Sequence, residues 1–196
     1  MEGALDPPIR VDWLEPPDLR DGRRGRLGMT ILPGKHGASF LYPGRIYRRD
    51  LATDLATLRA AGVEVIFLLV DDRELERWGD PAIVERAMEA GLTVDRRPLA
   101  DGTAPRTVEE MDDILADLER AREAGDAAVA CMGGIGRTGT VAACALVAAG
   151  WNAATAIGRV RAIRHPSAVE TDQQIGFVQS YERHIADRDA EARVAP

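Results

Sequence analysis

After residue 50 the apolar positions follow two alternating rhythms. Leu51, Leu55 and Leu58 recur at helical spacing, and Gly62 ends the run, which predicts a helix over Leu51–Ala61. Val63–Val70 is β-branched and apolar apart from Glu64, the pattern of a strand buried on both faces. Asp80 and Pro81 have the form of an N-cap followed by proline at the first helical position, so a second helix is expected to about Ala90, closed by Gly91. Leu92–Pro98 reads as the next strand. Thr107–Glu110 has capping-box spacing ahead of Met111, Ile114, Leu115 and Leu118, predicting a helix to about Ala124. Ala127–Ala130 is a short apolar strand. Val141–Ala149 is apolar on every side and predicts a helix buried among other elements. Asn152 caps a helix to about Arg164, stopped at His165 and Pro166. Thr171 caps the last helix, to about Ala186, with residues 189–196 frayed. Strands alternating with helices predict an α/β fold: a mostly parallel central sheet flanked by helices on both faces.

The first 50 residues are less regular. Ile9–Leu14, Leu27–Leu32 and Arg45–Tyr47 read as short strands, and the stretch from Glu15 to Arg26 as turns. Its arginines (Arg20, Arg23, Arg24 and Arg26) read as a solvated loop, with anion binding the rarer alternative. Residues 1–26 thus form an irregular extension of a single domain spanning 1–196.

The length of 196 residues is enough for one domain with a substantial core. A net charge of −7 argues against a nucleic-acid-binding surface. Two cysteines cannot form a disulfide framework, which points to a reducing compartment, the cytoplasm. No apolar run is long enough to span a bilayer, and the N-terminal residues lack a secretory pattern. His36, His165 and His184 show no metal-ligand spacing, so neither metal nor cofactor is expected. A monomer is expected, with no nucleic-acid or membrane partner.

The chemistry concentrates between Ala127 and Thr140. An apolar strand runs into Cys131-Met132-Gly133-Gly134-Ile135-Gly136-Arg137-Thr138, which opens a buried helix. Glycines let the backbone of Met132, Gly133, Gly134, Ile135 and Gly136 curl and present successive N–H groups to one point. The helix N-terminus adds its positive dipole end, and Arg137 offers a fork for two phosphate oxygens. Such a bowl suits a tetrahedral dianion. It also favours thiolate over thiol at Cys131, so that pKa is expected to fall, leaving a nucleophile for phosphorus. Thr138 can donate its hydroxyl to that sulfur and ease its departure. A dinucleotide-binding turn competes with this reading, but Gly134-x-Gly136 does not extend to the full fingerprint; nor is there a Gly-Lys-Ser/Thr of a nucleotide P-loop.

Cys131 to Thr138 resembles the C-x5-R-T/S signature of the protein tyrosine phosphatase superfamily. It is most similar to the dual-specificity type, and within it to the kinase-associated, cyclin-dependent-kinase-inhibitor-like group and its bacterial relatives. The stretches Leu27–Lys35, Asp71–Trp78, Pro98–Pro105 and Ala168–Gln174 resemble the same group, in the expected order. The resemblance implies a cysteine-dependent phosphomonoester hydrolase acting on a phosphorylated protein or small phosphomonoester through a phosphocysteine. Leaving-group departure needs a proton, and Asp101 is the candidate donor: it lies in a Gly- and Pro-bearing loop and matches the family's general acid. Asp95 is the second choice, and Asp71-Asp72 read as the start of a short helix. Gln174 matches the family's water-positioning glutamine, with Gln173 as its competitor. Arg96, Arg97 and Arg106 flank the acid loop as exposed charge or as steering groups. Cys144 reads as an inert core thiol, the alternative being a partner that resolves oxidised Cys131 as a disulfide.

One position departs from the family. Where a His usually precedes the nucleophile, this chain has Ala130, which puts the acidity of the thiol in question. The competing functional classes are a catalytically weak phosphate-binding module, which has no need of Asp101, and a sulfurtransferase or arsenate reductase, which lacks the upstream acid loop.

Overall fold

Five strands form the central sheet of the computed structural model, which describes residues 5–20, 22, 24–39 and 42–194. In chain order the elements are β1 (Asp12–Leu14), α1 (Pro16–Leu19), β2 (Leu27–Ile31), β3 (His36–Ala38), β4 (Ile46–Arg48), α2 (Leu51–Ala60), β5 (Val63–Leu68), α3 (Asp72–Trp78), α4 (Ile83–Glu89), β6 (Thr93–Arg96), α5 (Val108–Ala124), β7 (Asp126–Cys131), α6 (Gly136–Ala148), α7 (Ala153–Ile163) and α8 (Asp172–Val194). The sheet order is β1-β2-β7-β5-β6, and β3 and β4 make a separate antiparallel hairpin. Strands β2, β7, β5 and β6 run parallel; β1 lies antiparallel on the edge.

The period-two alternation of strands divides the interior into two cores. Ala128 and Ala130 of β7, with Ile66 and Leu68 of β5, pack against Leu55 and Leu58 of α2, Leu75 of α3 and Ile83 of α4. Ala127, Val129 and Cys131, with Phe67, face the other way, against α5, α6 and α8. The α/β architecture expected from the alternation is therefore the one observed. Helix α6, apolar all round, is buried along its length as that pattern requires.

Several local expectations are corrected. Asp80 does not cap a helix at Pro81. Its carboxylate accepts from Ala82 N in a turn, and α4 begins only at Ile83. Thr107 does cap α5 by accepting from Glu110 N, but Glu110 reaches Arg106 N instead of closing the box on Thr107. Helix α8 continues past Ala186 to Val194, so residues 189–194 are helical rather than frayed, with 189–193 exposed; residues 195 and 196 lie outside the described residues. Tyr181 and His184 of α8 both engage Asp112 of α5, which ties down the middle of α8. The N-terminal region is not all irregular: it supplies β1 and the short α1. Of the arginines there, Arg26 is ion-paired to Asp126 and stacked on Trp13, and Arg20 lies over the Trp151 ring. Arg23 lies outside the described residues.

Candidate active site

In a parallel sheet the strands deliver their following loops to one edge, where ligand sites form. Here β2, β5, β6 and β7 deliver the turns after Ile31, Leu68, Arg96 and Cys131 to that edge. Cys131 ends β7 in register with Ile31 of β2, and the chain curls through Met132–Ile135 into α6. Gly134 has φ 66°, and a Cβ there would stand 2.3 Å from the Thr30 carbonyl oxygen, so the curl accepts no other residue. The backs of two loop peptides are anchored by Arg164. Its Nε donates to Gly134 O at 2.8 Å and Nη2 to Gly133 O at 3.2 Å, while Nη1 pairs with Asp12 at 2.7 Å. Because C=O and N–H of a peptide point in opposite directions, holding these carbonyls outward helps fix which way the following amides face.

Arg137, in the first turn of α6, is 1 % exposed. Glu74 takes its fork end-on: Nη1 donates to Oε2 and Nη2 to Oε1, each at 2.7 Å. Nη1 also donates to Leu99 O at 2.9 Å, so the turns after β5 and β6 are locked to the guanidinium. Burial works against the charge; the Glu74 hydrogen bonds and the negative groups at Cys131, Glu74 and Asp101 outweigh it, holding the pKa above its ordinary value. Glu74 was not among the residues expected from sequence. Its signal was the Asp71-x-x-Glu74 spacing: Asp71 caps α3 and the Glu74 side chain returns to Asp71 N. Thus Asp71 is a helix cap.

The structure brings most of the expected residues to one place. A cavity of about 680 Å³ is lined by Cys131, Met132, Gly133, Ile135, Gly136, Arg137 and Asp101 among others. Asp101 accepts from Arg137 Nη2 at 2.9 Å, with its side chain 80 % exposed. Of the two glutamines, Gln173 is exposed and Gln174 is buried against Gly136. The Gln174 amide is held by backbone, its oxygen accepting from Glu170 N and Thr171 N and its nitrogen donating to Thr103 O. Thr138 Oγ1 is buried with no hydrogen-bond partner among the described residues, so the expected bond to Cys131 sulfur is not formed.

Other candidates are placed elsewhere. Asp95 is paired to Arg97, which also holds Asp117. Arg96 pairs with Asp72, and Arg106 extends into solvent. Cys144 sits eight residues into α6, about 12 Å along the axis from the bowl end, beyond the roughly 7 Å Cα reach of a disulfide. Its thiol pKa is pushed well up by burial first and by Asp112 second, as fits an inert core thiol. Among the described residues no group of three His, Cys, Asp or Glu is placed to hold a metal, and no helix is long and apolar enough to cross a membrane.

Three further groups at the cavity were not foreseen. Lys35, from the turn after β2, is 6 % exposed and holds Nζ 3.9 Å from the Tyr47 ring centroid. Tyr47 of β4 and Trp78 of α3 give the cavity an aromatic wall. Glu170 lines the mouth, with a carboxylate oxygen 2.5 Å from where a Cβ on Gly136 would lie. Burial, then the charge of Asp101, raises the Glu170 pKa, partly offset by His165, Arg137 and the Gly136 N–H. Tyr47 lies in the strand expected over Arg45–Tyr47, observed as Ile46–Arg48; its partner β3, His36–Ala38, was not expected from the sequence.

A family model described as the DSP-PTPase phosphatase of polymorphic toxin systems matches residues 44–151. Human cyclin-dependent kinase inhibitor 3 is 26 % identical over 195 residues, covering 95 % of this chain and 86 % of that protein. The crystal structure of kinase associated phosphatase with its catalytic-site cysteine replaced by serine superposes with a TM-score of 0.79 at 24 % identity, covering 92 % of this chain and 98 % of that one. The active form of Tk-PTP superposes with a TM-score of 0.64 at 30 % identity, covering 83 % and 93 %.

Proposed function

This chain belongs to the dual-specificity, cysteine-dependent phosphatases, and from that membership we propose that Cys131 is the nucleophile of a phosphomonoesterase acting on a phosphorylated protein. The observation that carries the reading is the meeting of Cys131, a buried Arg137 and Asp101 around one cavity at the start of α6. The phosphoryl oxygens would lie against the amides of Met132 to Arg137, with the Nε–Nη2 edge of Arg137 completing the cradle.

The thiolate attacks phosphorus in line as the ester P–O bond breaks, and protonated Asp101 gives its proton to the departing oxygen. The product is a phosphocysteine. Asp101, now ionised, takes a proton from water, which attacks phosphorus and expels the sulfur. Gln174, buried against Gly136, is assigned to orient that water, for which its amide must first let go of Thr103. Thr138, whose hydroxyl is buried without a hydrogen-bond partner among the described residues, supports the reading by offering a donor to the leaving sulfur. Arg164 holds the loop from behind, which offers a substitute for the loop-ordering role lost with Ala130. The phosphoprotein assignment draws on relatives named for a cyclin-dependent kinase and for association with a kinase. Two unpaired thiols accord with a reducing setting such as the cytoplasm, where we place the activity.

The test is turnover on a phosphopeptide panel carrying phosphotyrosine, phosphoserine and phosphothreonine, with wild type and Cys131→Ser side by side, in EDTA and with vanadate. Wild type is expected to release phosphate in EDTA and to be blocked by vanadate, and Cys131→Ser to be inactive. Equal rates for the two proteins would remove Cys131 from the mechanism.

A further inference from the structure

We propose that Lys35 is a second phosphate-binding cation of this site, supplied by the turn after β2 in addition to Arg137 from α6. The inference rests on the phosphate site proposed above and adds a specificity-determining residue to it.

The topology places Lys35 there. Strands β2 and β7 are parallel neighbours with Ile31 opposite Cys131, so the turn leaving β2 rises beside the loop leaving β7. That turn is fixed along its length. Lys35 N donates to Leu32 O at 3.3 Å, Gly34 N donates to Asp54 Oδ2 at 2.9 Å, and Arg49 N donates to Lys35 O at 3.0 Å. Gly34 has φ 69°, and a Cβ there would meet that of Leu51 at 2.8 Å, so the turn is built for glycine. The side chain enters the cavity with Cys131 and Arg137 and rests on the Tyr47 ring.

The charge balance then asks for an anion. Buried Arg137 has Glu74, Arg49 has Asp54, and Arg164 has Asp12. No carboxylate among the described residues forms an ion pair with Lys35, although its residue is 6 % exposed. Cys131, Asp101 and Asp6 favour its charge and Arg45 opposes it, while Glu74, Arg137 and Glu170 line the same cavity, with Glu74 already taken by Arg137. Burial dominates these and brings the Lys35 pKa down to about 8. A buried ammonium beside the nucleophile, short of negative charge, gains most when a dianion enters. Because Lys35 is charged below that pKa and neutral above it, anion affinity is expected to fall as pH rises through about 8.

The probe is tungstate, a tetrahedral dianion across the range, titrated calorimetrically from pH 7 to 9.5 into the full chain carrying Cys131→Ser, so that the thiol does not titrate. The parent is expected to bind about tenfold more weakly at the alkaline end. Adding Lys35→Met should weaken binding about tenfold at pH 7 and flatten the pH dependence. Adding Lys35→Arg should retain binding at pH 7 and hold it to pH 9.5. Thermal melts and near-ultraviolet circular dichroism of the three proteins check that each is folded; Lys35→Arg carries the test if Lys35→Met is not. Tungstate affinity that is equal in parent and Lys35→Met, or an unchanged pH dependence in Lys35→Arg, would overturn the assignment of Lys35 alone. No tungstate binding to the parent would overturn the phosphate site itself.

Discussion

Arg137 Nη2 donates at once to Glu74 Oε1, at 2.7 Å, and to Asp101 Oδ1, at 2.9 Å. The first contact is buried and end-on. The second is made by a side chain mostly in solvent, on the nitrogen that an incoming phosphate oxygen would also use. A carboxylate therefore occupies part of the anion edge, and the dianion must displace it. The displaced Asp101 is then free to turn to the leaving oxygen.

Asp101→Ala should separate these two effects. It is expected to lower kcat for a phenyl phosphate with a poor leaving group by about 10² to 10⁴, the span of a lost general acid. It should also tighten vanadate inhibition, because the competing carboxylate is gone. Steady-state kinetics with vanadate titration checks both, and weaker inhibition by vanadate would contradict the displacement.

Glu74→Gln leaves a buried guanidinium without its counter-charge. Breaking a buried pair of this kind costs about 3 to 5 kcal/mol. The expected outcome is a clear drop in the urea midpoint together with loss of kcat. A variant as stable as wild type would show that Leu99 O and Asp101 hold Arg137 unaided.

Arg164→Met removes the outside anchor of the Gly133 and Gly134 carbonyls and leaves Asp12 with only the exposed Arg10 as an ion-pair partner. Misplacement of the loop is expected to lower kcat on the order of 10²-fold. Arg164→Lys, which keeps one donor and the charge, should recover part of it. Kinetics read beside a thermal melt separate this from a merely structural loss, since kcat should fall at temperatures where the variant is still folded.

Glu170→Gln tests the lip of the bowl. The carboxyl pKa is raised by burial and by Asp101, so the group stays neutral to a higher pH than an ordinary glutamate and then ionises. Once ionised it repels the substrate dianion and competes for the Gly136 N–H. The variant is expected to show a lower KM than wild type by a few-fold on the alkaline side of the Glu170 titration, about 0.5 to 1 kcal/mol. The gap should close as pH falls through the Glu170 titration. KM measured across that range decides it, and a gap that does not vary with pH would assign Glu170 a different role.

The parts of the site carried by long, strongly patterned elements were legible in the chain. Cys131, the glycine curl and Arg137 stand between a buried strand and a buried helix, and both patterns survive folding unchanged. Asp101 could be found because its loop lies between a strand and a capped helix. What escaped was everything that depends on side chains converging from distant segments. Glu74 reaches Arg137 across 63 positions, and Lys35 reaches the cavity only because β2 happens to neighbour β7. Helix ends erred for local reasons. Asp80 satisfied Ala82 N in a turn before any helix began, and α8 outran its apolar pattern because exposed Arg, Asp, Glu and Ala residues continue a helix without needing a core.

The burial of α6 on nearly every side has a consequence for how the bowl behaves in time. Amides in that helix can meet solvent only through openings close to global unfolding, so their hydrogen exchange should be among the slowest in the molecule. The side chains of Asp101 and Glu170, by contrast, stand exposed at the rim and can turn about their own bonds. An arriving ligand thus meets a cradle already rigid on one side and yielding on the other, and spends little of its binding free energy on ordering the amides that would hold it.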